Sequence, residues 1–411
     1  MTAPRLLFVN QYAFPDEAAT AQLLADLVDT CRRAGAECRV VCSDRSYANA
    51  ARRYPHEEVL NGVRYSRAAA TGFGRSSRLG RVIDYATFLL GAMGRLLSGH
   101  RPDVVLGMST PPILGALAVL AARLRGCRSA YWAMDVYPDL AFELGAMKPN
   151  SVLGRAFAVL SRWTLRRADL VIALGETMAG RLSMAGARNV AVVHNWADGD
   201  AIRPMKAEES RISAEREWTG KFVVLYSGNL GLAHEFDTLL AAAEALREEG
   251  VLVAFCGGGP RRAEVEAEAE RRSLTNVEFH PSVCREELGD LLAAGQLHAV
   301  TMRPRMAGLL VLSKVYGILA AGRPVLYVGP AEGEIHDIVT KGNVGASIRG
   351  GDVKGLVAAI SRYRSDEALR TETGRRAREL FEGNFRRDGQ ARKILDLLER
   401  ATAHSRPGRI R

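Results

Sequence analysis

The stretch Leu312-Ser-Lys-Val-Tyr-Gly-Ile-Leu-Ala-Ala-Gly-Arg-Pro-Val-Leu-Tyr-Val-Gly-Pro330 joins a small-residue helix to a short apolar strand and a Gly-Pro turn. Ser313-Lys314 stands at the expected helix N-terminus, and Ala321-Gly322 ends it. Pro324 to Val328 then has β-type composition and leads into Gly329-Pro330. Helix N-termini carry unpaired N–H groups and the positive end of the macrodipole, so anions collect there. A Ser and a Lys in that place read as a seat for a diphosphate. The plainer reading is a helix cap with a solvated lysine.

The same alternation extends in both directions. Strand signals at 222–226, 252–256, 277–279 and 299–302 are separated by helical runs at 235–247, 261–272 and 285–294. Helices at 353–363, 366–381 and about 387–401 follow. The first half has strands at 6–10, 38–42, 104–106, 129–133, 170–174 and 190–193, with helices at 18–33, 113–125 and 152–167. Short strands that are apolar throughout, with helices between them, imply a parallel sheet covered on both faces. The polar, charge-mixed residues 195–220 break this rhythm and read as a linker. The expected architecture is α/β, with two doubly wound, Rossmann-like halves facing a cleft and ligands at the carboxyl ends of the strands. The N-terminal domain is expected at 1–198 and the C-terminal domain at 199–386, with the last helix, about 387–403, packing back on the first.

A chain of 411 residues exceeds one ordinary core, which agrees with two domains. The net charge of +10 favours anionic partners such as nucleotides or a membrane surface. Nucleic acid is not expected, because no basic tract with interleaved aromatics and no nucleic-acid module signature occurs. The six cysteines form no Cys-x-x-Cys pair and several lie in apolar runs, so they read as reduced core residues of a cytoplasmic protein. The N-terminus lacks the shape of a signal peptide, and the longest apolar stretch, Pro111 to Ala122, is too short to span a bilayer.

Two glycine-bearing turns follow strands in the second half, Ser227-Gly228-Asn229-Leu230-Gly231 and Gly257-Gly258-Gly259-Pro260. Each suits either a tight turn or close backbone approach to a ligand, and neither is a Walker loop. Asp135 follows a strand-like run and precedes Pro138, which places it at a strand's carboxyl end, as a turn cap or as a chemical group. Asp198-Gly199-Asp200 looks like a metal-binding Asp-x-Asp, but beside a linker it reads as a turn, and no metal is expected. Arg64, Arg67, Arg75, Arg78 and Arg81 precede Phe88-Leu89-Leu90 and Leu96-Leu97. They read either as a solvated loop before a core helix or as a basic patch for peripheral contact with the inner face of the membrane.

Taken together, these segments resemble the retaining GT-B glycosyltransferases of glycosyltransferase family 4. The two glycine turns, Asn276 to Phe279, Ala320 to Val325 and the Glu332–Ile335 loop carry the likeness in the second half. Asn10-Gln11-Tyr12, Met134 to Asp139, Arg167-Ala168-Asp169 and His194 to Asp198 carry it in the first. The Pro-Asp, Asn-Trp and Ser-Lys details are most similar to bacterial surface-polysaccharide transferases of the N-acetylfucosaminyltransferase type. The resemblance implies donor contacts at Gly228, Asn229, Gly231 and His234, while the charge of a diphosphate in a partly dry cleft calls for Lys314 and Arg303 as its cationic partners, with the helix N–H groups at Ser313–Val315 stabilising charge on the leaving phosphate. Backbone around Ser282 and Val283 would read the base, and Ala19 and Thr20 would approach the sugar and diphosphate. Asp135 would orient the acceptor hydroxyl or stabilise positive charge on the sugar ring.

This chain departs from the family at the first turn, where Asn229 and His234 replace an Arg and a Lys. The family's paired glutamates are missing as well, since the later falls on Gly317 and the earlier near Ala307. The implied function is sugar transfer from a nucleotide sugar, with UDP as the expected carrier, to a saccharide or lipid-linked acceptor in polysaccharide or O-antigen assembly, with no cofactor. Alternatives are a natural-product tailoring transferase, a nucleotide-sugar 2-epimerase and a nucleotide-binding protein without turnover. An epimerase would need a carboxylate pair at the sugar, which these turns lack.

Overall fold

The computed structural model describes residues 3–16, 18–47, 49, 51–73 and 78–403. Arg75 of the expected basic patch and the basic tail at 406–411 lie outside the described residues. The chain forms two units, one containing the residues up to His194 together with those from Asp388 onward, the other running Asn195–Arg387.

The first unit is built on strands β1 (Arg5–Val9), β2 (Glu37–Ser43), β3 (Glu57–Leu60), β4 (Val63–Ala68), β5 (Val104–Met108), β6 (Arg128–Trp132), β7 (Leu170–Ala173) and β8 (Val190–Val192). Their order in the sheet is β3-β4-β2-β1-β5-β6-β7-β8. All neighbours are parallel except β3 and β4, an antiparallel pair. β1 and β5 are buried almost throughout, which is why their sequences lack alternation. The apolar pattern does not announce the β3–β4 hairpin. Its signal is Asn61-Gly62, whose φ values of 50° and 77° match a hairpin turn that needs two left-handed residues.

The second unit has β9 (Phe222–Ser227), β10 (Val251–Cys256), β11 (Val277–His280), β12 (Leu297–Thr301), β13 (Val325–Val328) and β14 (Gly345–Ile348). They form a parallel sheet in the order β11-β10-β9-β12-β13-β14. The sheet order turns back between β9 and β12, and in open α/β sheets ligands bind at such switch points. On one side of the sheet Val224, Tyr226, Phe236, Leu239 and Phe255 form a large apolar cluster, and on the other Val223, Leu225, Leu252 and Leu291 form a second.

Residues 195–220 are not a free linker. Arg211–Glu215 forms a short helix, capped by the Ser210 hydroxyl, which accepts from the Ser213 N–H at 3.0 Å. Ile212 and Trp218 enter the cluster of Val223 and Leu225, while Arg211 pairs outward with Glu215 and Glu287 at 2.8 and 2.7 Å. One helical turn can hide two core residues among charges, so composition alone misreads it. Similarly, the loop expected at Glu332–Ile335 turns at Glu334 into the helix Glu334–Lys341, whose Ile335 and Val339 are buried.

Candidate functional site

The carboxyl ends of β9 and β10 lead into two interlocked turns. The Gly228 N–H donates to the Cys256 carbonyl at 2.9 Å, and the Leu230 N–H to the Gly258 carbonyl at 2.7 Å. A Cβ on Gly257 would lie 2.0 Å from the Gly228 oxygen, and one on Gly259 would lie 2.6 Å from the Leu230 oxygen. Mutual packing of the turns therefore accounts for these two glycines. Gly228 is different, since a Cβ there would face Lys314, 3.4 Å from its Cε.

Lys314 opens the helix Lys314–Ala320 that follows β12. Its Nζ is buried 3.5 Å above the centre of the Tyr226 ring and has no hydrogen-bond partner among the described residues. Tyr226 is fixed in turn by its hydroxyl, which donates to the Asn229 carbonyl at 2.8 Å. Burial pushes the Lys314 ammonium well below its ordinary 10.5. A cation taken out of water without a counter-charge costs several kcal/mol, so the Lys314 ammonium lacks the partner that would offset its burial.

His234 stands edge-on to Tyr226 at 5.8 Å, with Nδ1 2.8 Å from the Thr301 carbonyl. A carbonyl can only accept, so Nδ1 carries the hydrogen and Nε2 is the acceptor. Burial and then the Lys314 charge pull the His234 pKa down to about 3, which keeps the ring neutral. Asn229 folds over Gly231, whose Cβ would lie 2.9 Å from the Asn229 amide nitrogen. Arg303 joins the same wall through its N–H, which donates to the Ala233 carbonyl at 2.9 Å.

Sequence patterns do not single out Arg261, yet it is buried directly behind this turn. Its Nη1 donates to the His234 carbonyl at 2.7 Å, its own N–H donates to the Leu230 carbonyl at 3.1 Å, and Glu264 pairs with it at 2.5 Å. Its place immediately after Gly257–Pro260 is the signal that marks it.

Other expected donor residues sit differently. Ser313 is exposed and makes no side-chain capping bond, and the helix it precedes has only seven residues. The Val315 side chain lies in the core and its N–H donates to the Leu312 carbonyl at 3.3 Å. At this helix start the lysine side chain points inward, while the Ser313 side chain faces out. Ser282 is exposed on the loop after β11, whereas Val283 packs against the apolar cluster of Trp218 and Leu291. Gly317, where the family's later glutamate is expected, faces Leu292 and Ile202, with 3.4 and 3.8 Å to a Cβ built there. Ala307 is buried against Gly333.

In the first unit, Asp135 lies beyond the carboxyl end of β6, half-buried, with no hydrogen-bond partner to its carboxylate among the described residues. Burial raises its pKa to about 6, and burial first, then the Asp135 charge, pushes the neighbouring Tyr131 and Tyr137 up. After β1, Asp16 pins the next loop by accepting from the Ala18 and Tyr47 N–H groups at 3.2 and 2.6 Å. The helix Ala19–Arg33 begins there without a side-chain cap. Ala19 is exposed, and the Thr20 hydroxyl accepts from the Asn10 amide at 3.2 Å. Buried Asn10 and Gln11 each keep a side-chain oxygen without a partner among the described residues.

The expected Asp-x-Asp behaves as a turn. Asp198 accepts from the Asp200 and Ala201 N–H groups at 3.1 Å each and pairs with Arg387 at 2.6 Å. Arg67, expected on a basic surface, is buried instead. Its guanidinium donates to Glu58 at 2.7 Å and lies 5.2 and 5.3 Å from the Tyr54 and Tyr65 rings, which leaves it no surface role.

The fold agrees with the matches to known proteins. Residues 19–196 match the model of the glycosyl transferase 4-like domain, and residues 208–380 match that of the glycosyl transferases group 1. The chain is therefore a glycosyltransferase of the GT-B fold, carrying one of each of these domains. It is 27% identical over 60% of its length to a Pseudomonas aeruginosa protein named as a probable glycosyltransferase, WbjE, and spans 62% of that protein. It is 28% identical over 69% of its length to an Escherichia coli K12 protein named as a colanic acid biosynthesis glycosyl transferase, WcaI, covering 72% of it. The crystal structure of Anabaena HepE in complex with UDP and glucose superposes with a TM-score of 0.73 at 16% identity, over 96% of this chain and 99% of that one.

Proposed function

We propose that this chain transfers a sugar from a UDP-sugar to a lipid-linked saccharide in bacterial surface-polysaccharide assembly, with retention at the anomeric carbon. The buried, uncompensated Lys314 ammonium carries this reading. A nucleoside diphosphate supplies the missing negative charge. When the bond between the anomeric carbon and the phosphate oxygen breaks, charge accumulates on that oxygen, and a cation already in place stabilises it. Neutral His234 and the Asn229 amide offer hydrogen bonds to the donor, and Arg303 adds the second positive charge. The exposed, uncapped N-terminus of the helix Ala19–Arg33 is a further group suited to a phosphate or sugar.

Asp135 is assigned to the acceptor. A carboxylate with a pKa near 6 is ionised at neutral pH and can still take up a hydroxyl proton. The relatives named for glycosyl transfer and colanic acid biosynthesis support the polysaccharide setting, and HepE supports UDP as the nucleotide. Ligand-induced thermal shifts across nucleotide sugars, followed by transfer of labelled sugar to bacterial lipid extracts, test the reading. A UDP-sugar that raises the melting temperature and labels the lipid fraction is the expected result. Stabilisation by none of them would overturn it.

A further inference from the structure

The first unit exposes an apolar surface that neither sheet uses. Three of its helices pack side by side, Arg78–Leu97 against Leu114–Leu124, and the latter against Val152–Arg167. Each turns apolar residues outward. Leu90 is 77% exposed, Leu124 63%, Val152 84%, Leu153 73% and Val159 60%. The second unit, among the described residues, exposes a single large apolar side chain, Leu232. Spacing makes these positions stripes and not scattered sites. Ile113, Leu117, Leu120 and Leu124 recur at helical intervals, as do Val152, Ala156, Val159 and Trp163.

Charge identifies what can cover this surface. The helices Leu114–Leu124 and Val152–Arg167 carry Arg123, Arg155, Arg162, Arg166 and Arg167, all exposed, and no acidic residue. At 100° per residue, Arg155, Arg162 and Arg166 flank one side of the Val152–Val159 stripe and Arg167 flanks the other. An isologous contact between two copies would set these arginines against their own images and repel. An apolar stripe edged by arginines suits a layer with apolar chains below and anionic phosphates at the rim.

We infer that this three-helix face docks the protein on an anionic lipid bilayer. The inference deepens the lipid-linked-acceptor reading and rests on it for its purpose. Of the arginines that precede residue 88, Arg67 is buried and takes no part in the docking. Val152, Leu153, Val159, Leu124 and Leu90 enter the boundary between headgroups and acyl chains. The arginines meet lipid phosphates, each worth roughly a fivefold gain in partitioning near an anionic surface.

Sedimentation with vesicles tests it, using phosphatidylcholine alone and equal parts phosphatidylcholine and phosphatidylglycerol, at low and high salt. The wild type should pellet with the anionic vesicles and be released by salt. Leu153→Glu/Val159→Glu and Arg155→Glu/Arg162→Glu should each weaken binding by about tenfold or more, with unchanged melting and unchanged stabilisation by UDP. A wild type that stays in solution with anionic vesicles overturns the proposal, and so do variants that pellet like wild type. A dimer seen by light scattering that the apolar variant dissociates, with vesicle binding intact, makes the face a self-interface and also overturns it. Vesicle binding without any transfer to lipid extracts would sink the acceptor reading alone.

Discussion

The Lys314 ammonium sits 3.5 Å above the centre of the Tyr226 ring, buried and without a hydrogen-bond partner among the described residues. A desolvated cation over an aromatic face gains about 2 kcal/mol, less than the several kcal/mol that burial costs it. On the proposed reading, the diphosphate of the donor makes good the deficit. Lys314→Met should therefore lower kcat by about two to three orders of magnitude, while the ligand-free protein melts no lower than wild type. Steady-state rates and a melting curve check both halves, and near-normal turnover would remove Lys314 from the chemistry.

Donor binding should be linked to protons through the same group. In the folded, ligand-free protein the Lys314 pKa lies well below 10.5, so between the two values the unfolded chain holds a proton that the folded one lacks. Stability of the free protein should rise with pH across that window. A bound diphosphate restores the ammonium, so UDP binding should take up a proton there. Calorimetric titrations in buffers of differing ionisation enthalpy should show uptake for wild type and none for Lys314→Met.

Asp135, with its pKa raised to about 6, should set an acidic limb in the pH–rate profile. Activity that needs the carboxylate falls as pH drops through 6, and Asp135→Asn should lose that inflection along with about a hundredfold in rate. The stability effect has the opposite sign. Because the folded pKa exceeds the unfolded value, stability declines as pH rises from 3.8 through 6. The asparagine variant should melt higher at neutral pH.

Gly257→Ala places a Cβ 2.0 Å from the Gly228 oxygen at a φ of 154°, whereas Gly258→Ala meets nothing within 4 Å. The first should cost about 2 kcal/mol or more and weaken donor binding by displacing the turn beside Lys314. The second should be nearly silent. Chemical denaturation of the pair, with UDP affinity alongside, separates packing from ligand contact at this turn.

Gly317→Glu returns the family's later glutamate to this chain. Its side chain would start beside Leu292 and Ile202, so the substitution should destabilise by about 3 kcal/mol without tightening UDP binding. A gain in affinity measured by titration would show that the position reaches the donor.

The parallel strands at the centre of both sheets were legible in the sequence, because buried strands such as Leu6–Val9 and Val325–Val328 are apolar on both faces and that property is local, whereas the antiparallel β3–β4 pair was not. The sequence also marked the glycine turns, Asp135 and Lys314, whose types and places follow from position along the chain. What these residues experience depends on the packing of distant elements. Whether a long cation is solvated depends on what packs over it. Lys314 is covered by Tyr226, from a strand far away in sequence, and Arg67 is sandwiched by Tyr54 and Tyr65. Trp218 left an expected linker for the core because Val223 and Leu225 lie opposite it, and Gly317 faces Leu292 and Ile202 because their elements pack there. Desolvation and contact are properties of neighbours distant in sequence, and no local pattern encodes them.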